Sequence, residues 1–94
     1  MAIIFLLLGV NMENTSKIFI LERSYDFDVR LFKTADIDAA LNFILESSKG
    51  CDFYDYEDCK EEIASNVEDG FDTFVYLDVL GNCVNCEVFA CNSL

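Results

Sequence analysis

The chain has 94 residues, a formal net charge of -12 and no histidine, and 53% of its side chains are hydrophobic. This length allows one small domain, and the negative charge excludes a protein that binds nucleic-acid phosphates or anionic membranes directly. Without histidine the chain lacks the commonest general base and zinc ligand, so we expect no enzyme, no cofactor and no metal site. Nine phenylalanines and four tyrosines predict a folded chain rather than a disordered one.

The first eleven residues are set apart by an apolar run from Ala2 to Val10. The run is too short to span a bilayer, and it lacks the basic residue and the cleavage site that frame a signal peptide. Two alternatives stay open for residues 1–11: an extra strand, or a leader that is not normally translated, because the codons before Met12 can spell a bacterial ribosome-binding site. Residues 12–94 are expected to form a single domain.

A hairpin is predicted next, with strands over residues 17–22 and 27–33 that are rich in β-branched and aromatic side chains. Alternation with polar residues gives the second strand one apolar face, formed by Phe27, Val29 and Leu31.

Two helices are expected to follow. Thr34 is the predicted N-cap of the first, and Gly50 is placed to end it. Asp55 is the predicted N-cap of the second, which runs to about Glu68 and is closed by Gly70. The core face of the second helix consists of Tyr56, Cys59, Ile63 and Val67.

A second hairpin is predicted over residues 72–80 and 83–91, with a two-residue turn at Gly81-Asn82. Counting outward from the turn places an almost purely apolar set on the core face: Val75, Leu77, Val79, Val84, Cys86, Val88 and Ala90. The predicted fold is therefore α+β, of order ββααββ, with a four-stranded, mostly antiparallel sheet and two helices on one face.

Five cysteines raise the question of a metal site or a disulfide. Cys83 and Cys86 form a CxxC pattern, but on a regular strand they point to opposite faces and cannot share a zinc ion unless the turn lies elsewhere than at Gly81-Asn82. The odd count disfavours a closed disulfide framework. We expect the five cysteines to behave as small, buried hydrophobic residues of a protein in a reducing cytoplasm.

Acidic residues are concentrated in residues 52–72, where nine acids face Lys60 alone. A solvated surface without a partner is one interpretation; calcium is disfavoured because no D-x-D-x-D-G loop is present. The other interpretation of these acids is a protein-binding surface that imitates nucleic-acid phosphates, with aromatic anchors from Phe53, Tyr54 and Tyr56. Its candidate residues are Asp52, Asp55, Tyr56, Glu57, Asp58, Glu61, Glu62, Glu68, Asp69 and Asp72.

Small size, acidity, the absence of histidine and the carboxylate-rich helix together resemble small phage-encoded proteins that disarm host defence, the anti-CRISPR and anti-restriction DNA mimics. Residues 27–41 also look like a strand-to-helix junction in a phage inhibitor of bacterial RNA polymerase. The resemblance implies an inhibitor in the host cytoplasm whose partner is a nucleic-acid-handling protein with a basic groove, such as a CRISPR effector. An inhibitor of host transcription is the alternative within this class.

A different hypothesis is a self-associating structural module. The sheet face opposite the predicted core carries aromatic and aliphatic side chains that a monomer rarely leaves bare. This second candidate surface, which would hold a homodimer together or be covered by residues 2–10, consists of Phe74, Tyr76, Leu80 and Phe89.

Overall fold

The structure is a computed structural model that describes residues 16–24 and 28–91. Its elements are β1 (Ile18–Arg23), β2 (Val29–Thr34), α1 (Ile37–Ser47), α2 (Tyr56–Glu68), β3 (Asp72–Leu80) and β4 (Cys83–Cys91). This order confirms the predicted α+β fold. The apolar segment at residues 1–11 and Phe27 lie outside the described residues, so the two interpretations of the segment stay open.

The four strands form one mixed sheet in the order β2-β1-β3-β4. Strands β1 and β2 pair antiparallel, as do β3 and β4, whereas the central strands β1 and β3 run parallel. A parallel pair needs a long crossover connection, and here the segment that holds both helices supplies it. The two hairpins are therefore joined through the middle of the sheet.

The core lies between the sheet and the two helices. Ile18, Ile20, Val75 and Leu77 are fully buried on the central strands. The helices close this layer with four buried side chains, which are Ala40, Ile44, Cys59 and Ile63. Burying such apolar side chains stabilises the fold by about 1.5 to 3 kcal/mol for each large one.

The first helix begins later than predicted. Thr34 is the last residue of β2, and its hydroxyl accepts a hydrogen bond from the backbone N–H of Asp36 at 3.1 Å. Asp36 is the N-cap, because its carboxylate accepts from the N–H of Asp38 at 3.1 Å. The prediction that Thr34 caps this helix was wrong. Gly50, with φ of 81°, follows the C-cap Ser48 by two residues.

The second helix and the second hairpin have the predicted bounds. Asp55 occupies the N-cap position of α2, although its side chain makes no capping hydrogen bond, and Gly70 follows the end of the helix with φ of 82°. Leu80 pairs with Cys83 around the turn, where Gly81 has φ of 60°. The predicted core face of this hairpin is buried as far as Cys86; Val88 packs half-buried against the core, and Ala90 is exposed at the end of β4.

The apolar face of β2 points away from the core. Val29 and Leu31 are 60% and 68% exposed, whereas Phe32, which pairs with Ile20, lies on the helix side. Strand β2 is an edge strand, so its alternation marks two faces without showing which of them is covered. No helix in the described ranges is long and apolar enough to cross a membrane.

Candidate protein-binding surface

The outward side of α2 is a continuous acidic surface. Cys59 and Ile63, 4% and 0% exposed, hold the helix against the sheet. At about 100° per residue, six acidic side chains then fall in a sector of about 140° on the opposite side. All six are exposed, and we call them the acidic face: Glu57, Asp58, Glu61, Glu62, Glu68 and Asp69.

The acidic face has a shallow depression as well as a negative charge. Asp58, Glu61, Glu62 and Ser65 line a shallow, open depression on its surface. Lys60 is the only basic residue of α2, and by helical spacing it lies beside the acidic face rather than within it. The face therefore presents uncompensated carboxylates to whatever approaches it.

Helix stability explains only the first part of this pattern. Glu57 and Asp58 lie in the first turn, where acidic side chains interact favourably with the helix dipole. Glu68 lies in the last turn, which has no basic residue, and there a negative charge is unfavourable. Like charges four residues apart, as in Glu57 and Glu61, destabilise a helix by about 0.2 to 0.5 kcal/mol for each pair. Glu68 and the like-charged pairs thus lower the stability of the helix, whereas the acids of the first turn raise it.

A fixed loop extends the acidic surface beyond the N-terminus of α2. The backbone N–H of Asp52 donates to the carbonyl oxygen of Asn82 at 2.6 Å, and that of Val84 donates to Asp52 at 2.9 Å. These bonds attach the loop to the turn of the second hairpin through a short parallel bridge. Asp52 is exposed there, and Asp55 is half-buried at the N-cap of α2. Asp55 therefore adjoins the first turn of α2, whereas Asp52 lies beside the turn of the second hairpin.

The three aromatic residues beside the loop have different environments. Tyr54 is 87% exposed, and its hydroxyl donates to Asp52 Oδ2 at 3.4 Å. The negative charge of Asp52 raises the pKa of Tyr54. Phe53 and Tyr56 instead pack edge to face, with ring centroids 5.3 Å apart, against the core. Tyr54 is therefore the aromatic side chain with most of its surface available to a partner.

Asp72, in contrast, does not join the acidic face. It is the first residue of β3, is 9% exposed, and accepts a hydrogen bond from the backbone N–H of Lys17 at 3.0 Å. Its carboxylate satisfies the backbone next to β1. The prediction counted Asp72 by charge and sequence position alone, which do not show such a backbone contact.

The second candidate surface lies on the sheet face away from the helices. Phe74 and Phe89 are cross-strand partners with ring centroids 6.5 Å apart. Leu80 and Phe89 are 45% and 48% exposed, and Tyr76 is half-buried. Four further apolar side chains share this face, although the sequence interpretation missed them: Phe19, Leu21, Val29 and Leu31. Strand β1 is apolar on both sides, so its pattern could not separate Phe19 and Leu21 from the core.

The five cysteines are all free. Cys83 and Cys86 lie on opposite faces of β4 as predicted. Cys59 and Cys86 are buried, but Cys83 is exposed and Cys51 and Cys91 are half-buried, so the prediction of buried cysteines was wrong for these three. The Cys59 thiol donates to the carbonyl oxygen of Cys86 at 3.5 Å, and burial raises the pKa of both thiols. Within residues 16–24 and 28–91 no three histidine, cysteine or acidic side chains are grouped so as to hold a metal ion.

Comparisons with protein families, with curated proteins and with solved structures find no match for this chain.

Proposed function

We propose that the chain is an acidic protein-binding inhibitor that occupies the nucleic-acid site of a host protein, in the manner of an anti-CRISPR DNA mimic. The observation that supports this proposal is the acidic face of α2, because helix stability does not account for Glu68 or for the like-charged pairs. We place the protein in the cytoplasm of the host cell, where its partner would handle DNA or RNA. It acts by occupying a site and catalyses no reaction.

The spacing of the carboxylates suits this role. Glu57 and Asp69 lie about 18 Å apart along the helix direction, at 1.5 Å per residue. Averaged over this length, the acidic face offers about one carboxylate per 3 to 4 Å, and one strand of duplex DNA carries one phosphate per about 3.4 Å of helix axis. A groove lined by lysine and arginine for a phosphate row would meet a similar density of charge.

Rigid attachment supports the proposal further. Cys59 and Ile63 fix α2 on the sheet, and the backbone bonds of Asp52 fix the loop before it. The backbone that carries the carboxylates is thus held in place before binding, which reduces the ordering cost of association. Tyr54 adds an exposed aromatic side chain at one end of the charged row.

The test measures inhibition of a CRISPR effector nuclease, a restriction endonuclease and a bacterial RNA polymerase by the wild-type chain and two triple variants. Glu57→Lys/Glu61→Lys/Glu68→Lys reverses the acidic face. Its matched control makes the same charge change elsewhere, at exposed positions that include the first and last turns of α1: Asp28→Lys, Asp38→Lys and Glu46→Lys.

We expect the wild type and the control to inhibit at least one of these enzymes and the reversed variant to lose at least about tenfold in potency, because close charge pairs at interfaces couple by about 1.5 to 7 kcal/mol. Equal potency of the two triple variants, or no inhibition of any of the three enzymes by the wild type, would contradict the proposal. Circular dichroism of each variant shows whether the fold is kept.

A further inference from the structure

The sheet face away from the helices is organised in three cross-strand rows. Each row takes one outward residue from every strand, in the order β2, β1, β3, β4. The first row is Lys33, Phe19, Phe74 and Phe89. The second row is Leu31, Leu21, Tyr76 and Glu87. The third row is Val29, Arg23, Asp78 and Asn85. Most of these side chains are apolar, and together they are called the open face below.

The charges of the open face are balanced and separated, unlike those of the rest of the chain. Its cations, Arg23 and Lys33, lie on β1 and β2, and its anions, Asp78 and Glu87, lie on β3 and β4. The open face is thus neutral although the whole chain carries -12. It is also divided into a positive half and a negative half, which is the arrangement that a symmetric pair of identical faces needs.

We infer that the open face binds a second copy of this chain, sheet against sheet, about a twofold axis that runs along the strands between β1 and β3. This rotation lays β1 of one copy over β3 of the other. Each row of one copy then lies opposite the same row of the other copy. Phe19 then faces Phe74, Leu21 faces Tyr76, and Arg23 faces Asp78, with each contact made twice. Aligned sheets pack face to face in this way, with about 30° between strand directions.

The carboxylate of Asp78 supports a second copy of the chain as the partner. Its Oδ1 is buried without a hydrogen-bond partner, and an unsatisfied buried carboxylate oxygen costs free energy. In the pair, the guanidinium of Arg23 from the other copy lies opposite the half-buried Asp78 side chain, and rotation of that carboxylate turns Oδ1 toward it. Arg23 also interacts within its own chain, but five N–H donors allow it to serve two acceptors.

The size and position of the open face also suit a pair of copies. Four strands about 4.8 Å apart and about 20 to 30 Å long give each face a flat area of about 400 to 600 Å², so the pair covers about 1,000 Å², near the lower limit for specific interfaces. The acidic faces lie on the far side of both sheets, which keeps their repulsion small. This inference is independent of the proposed function, since the acidic face stays accessible in the pair.

The test uses sedimentation equilibrium of the full chain and of two single variants, Arg23→Asp and Asp78→Arg. Each single variant places like charges opposite each other twice in its own pair, so we expect its dimer dissociation constant to rise at least about tenfold. An equimolar mixture of the two variants places opposite charges at both contacts, and there we expect dimers to return. Charge pairing inside one chain cannot produce this recovery, because each chain keeps its own like-charged pair.

Leu31→Glu, at a side chain that is 68% exposed, gives a third variant that leaves the core untouched. Leu31 faces Glu87 of the other copy in the pair, so this variant places like charges opposite each other and is expected to weaken the dimer. A wild-type chain that stays monomeric at high concentration would overturn the inference, as would a mixture that fails to recover dimers while both variants are folded by circular dichroism. A full chain that is monomeric but dimerises when residues 1–11 are deleted would also overturn it, and would assign the open face to that segment.

Discussion

Arg30 binds both carboxylate oxygens of Glu22. Its Nε donates to Oε1 at 2.7 Å, and its Nη2 donates to Oε2 at 3.0 Å. The two side chains differ in environment, since that of Glu22 is 6% exposed and that of Arg30 is 58% exposed. The Arg30 guanidinium also lies 4.9 Å from the ring centroid of Phe43, which stacks on Phe32. This cluster extends the packing between α1 and the first hairpin beyond the apolar core.

Removing Arg30 and removing Glu22 should therefore change the free energy of unfolding by different amounts. Arg30→Met leaves a buried carboxylate without its partner, and we expect it to lower the free energy of unfolding by about 1 to 3 kcal/mol. Glu22→Gln leaves a guanidinium that water can solvate, so its effect should be smaller. Urea unfolding at neutral pH measures both. A larger loss for Glu22→Gln would contradict this account of the pair.

The same pair predicts a dependence on pH. The hydrogen bonds from Arg30 lower the pKa of Glu22 from its ordinary value of 4.5. A lowered folded-state pKa gives stability that is fully present above the ordinary pKa and is lost as the pH falls through the lowered one. The free energy of unfolding of Glu22→Gln should therefore fall less steeply than that of the wild type below about pH 5. Parallel curves for the two proteins would show that Glu22 contributes nothing to acid sensitivity.

The acidic face predicts opposite effects at the two ends of α2. Glu68→Lys places a positive charge in the last turn and should stabilise the protein by about 0.3 to 1 kcal/mol at low ionic strength. Glu57→Lys places one in the first turn and should destabilise it by a similar amount from the dipole, less what is gained by removing repulsion from Glu61. Both effects should shrink in high salt. A destabilised Glu68→Lys protein would show that Glu68 has a structural role.

Burial divides the cysteines by reactivity. Cys83 is exposed, whereas Cys59 and Cys86 are buried with raised pKa values, and the thiolate is the reactive form. Brief treatment of the folded protein with iodoacetamide should therefore modify Cys83 well before Cys59 or Cys86, and urea should remove the difference. Peptide mass spectrometry reads out each site. Early modification of Cys59 or Cys86 in the folded protein would contradict the packing of α2 on β4.

The second hairpin could be predicted from sequence to the residue because its signals are local. Gly81-Asn82 defines a two-residue turn, and the turn then fixes the register of every pair as far as Asp72 with Cys91. The bounds of α2 followed similarly from Asp55, Gly70 and an apolar stripe. Thr34 and Asp36 are both suitable N-caps, however, and sequence favoured the wrong one because the choice depends on where β2 ends.

Features that depend on distant parts of the chain could not be read from the pattern. The parallel pairing of β1 with β3 joins segments more than fifty residues apart. The burial of Asp72 depends on its bond to Lys17, across the same pair of strands. The third row of the open face, where Arg23 lies beside Asp78, likewise exists only through that register.

The most direct measurement of the central claim is competition between the chain and DNA for whichever of the three enzymes it inhibits. The inhibition constant should rise in proportion to the concentration of an added DNA duplex, and affinity should fall steeply as salt increases, because the partner groove is basic. Mimicry of the phosphate row predicts that enzyme saturated with DNA binds no inhibitor. Binding of the chain to DNA-saturated enzyme with undiminished affinity would contradict the account.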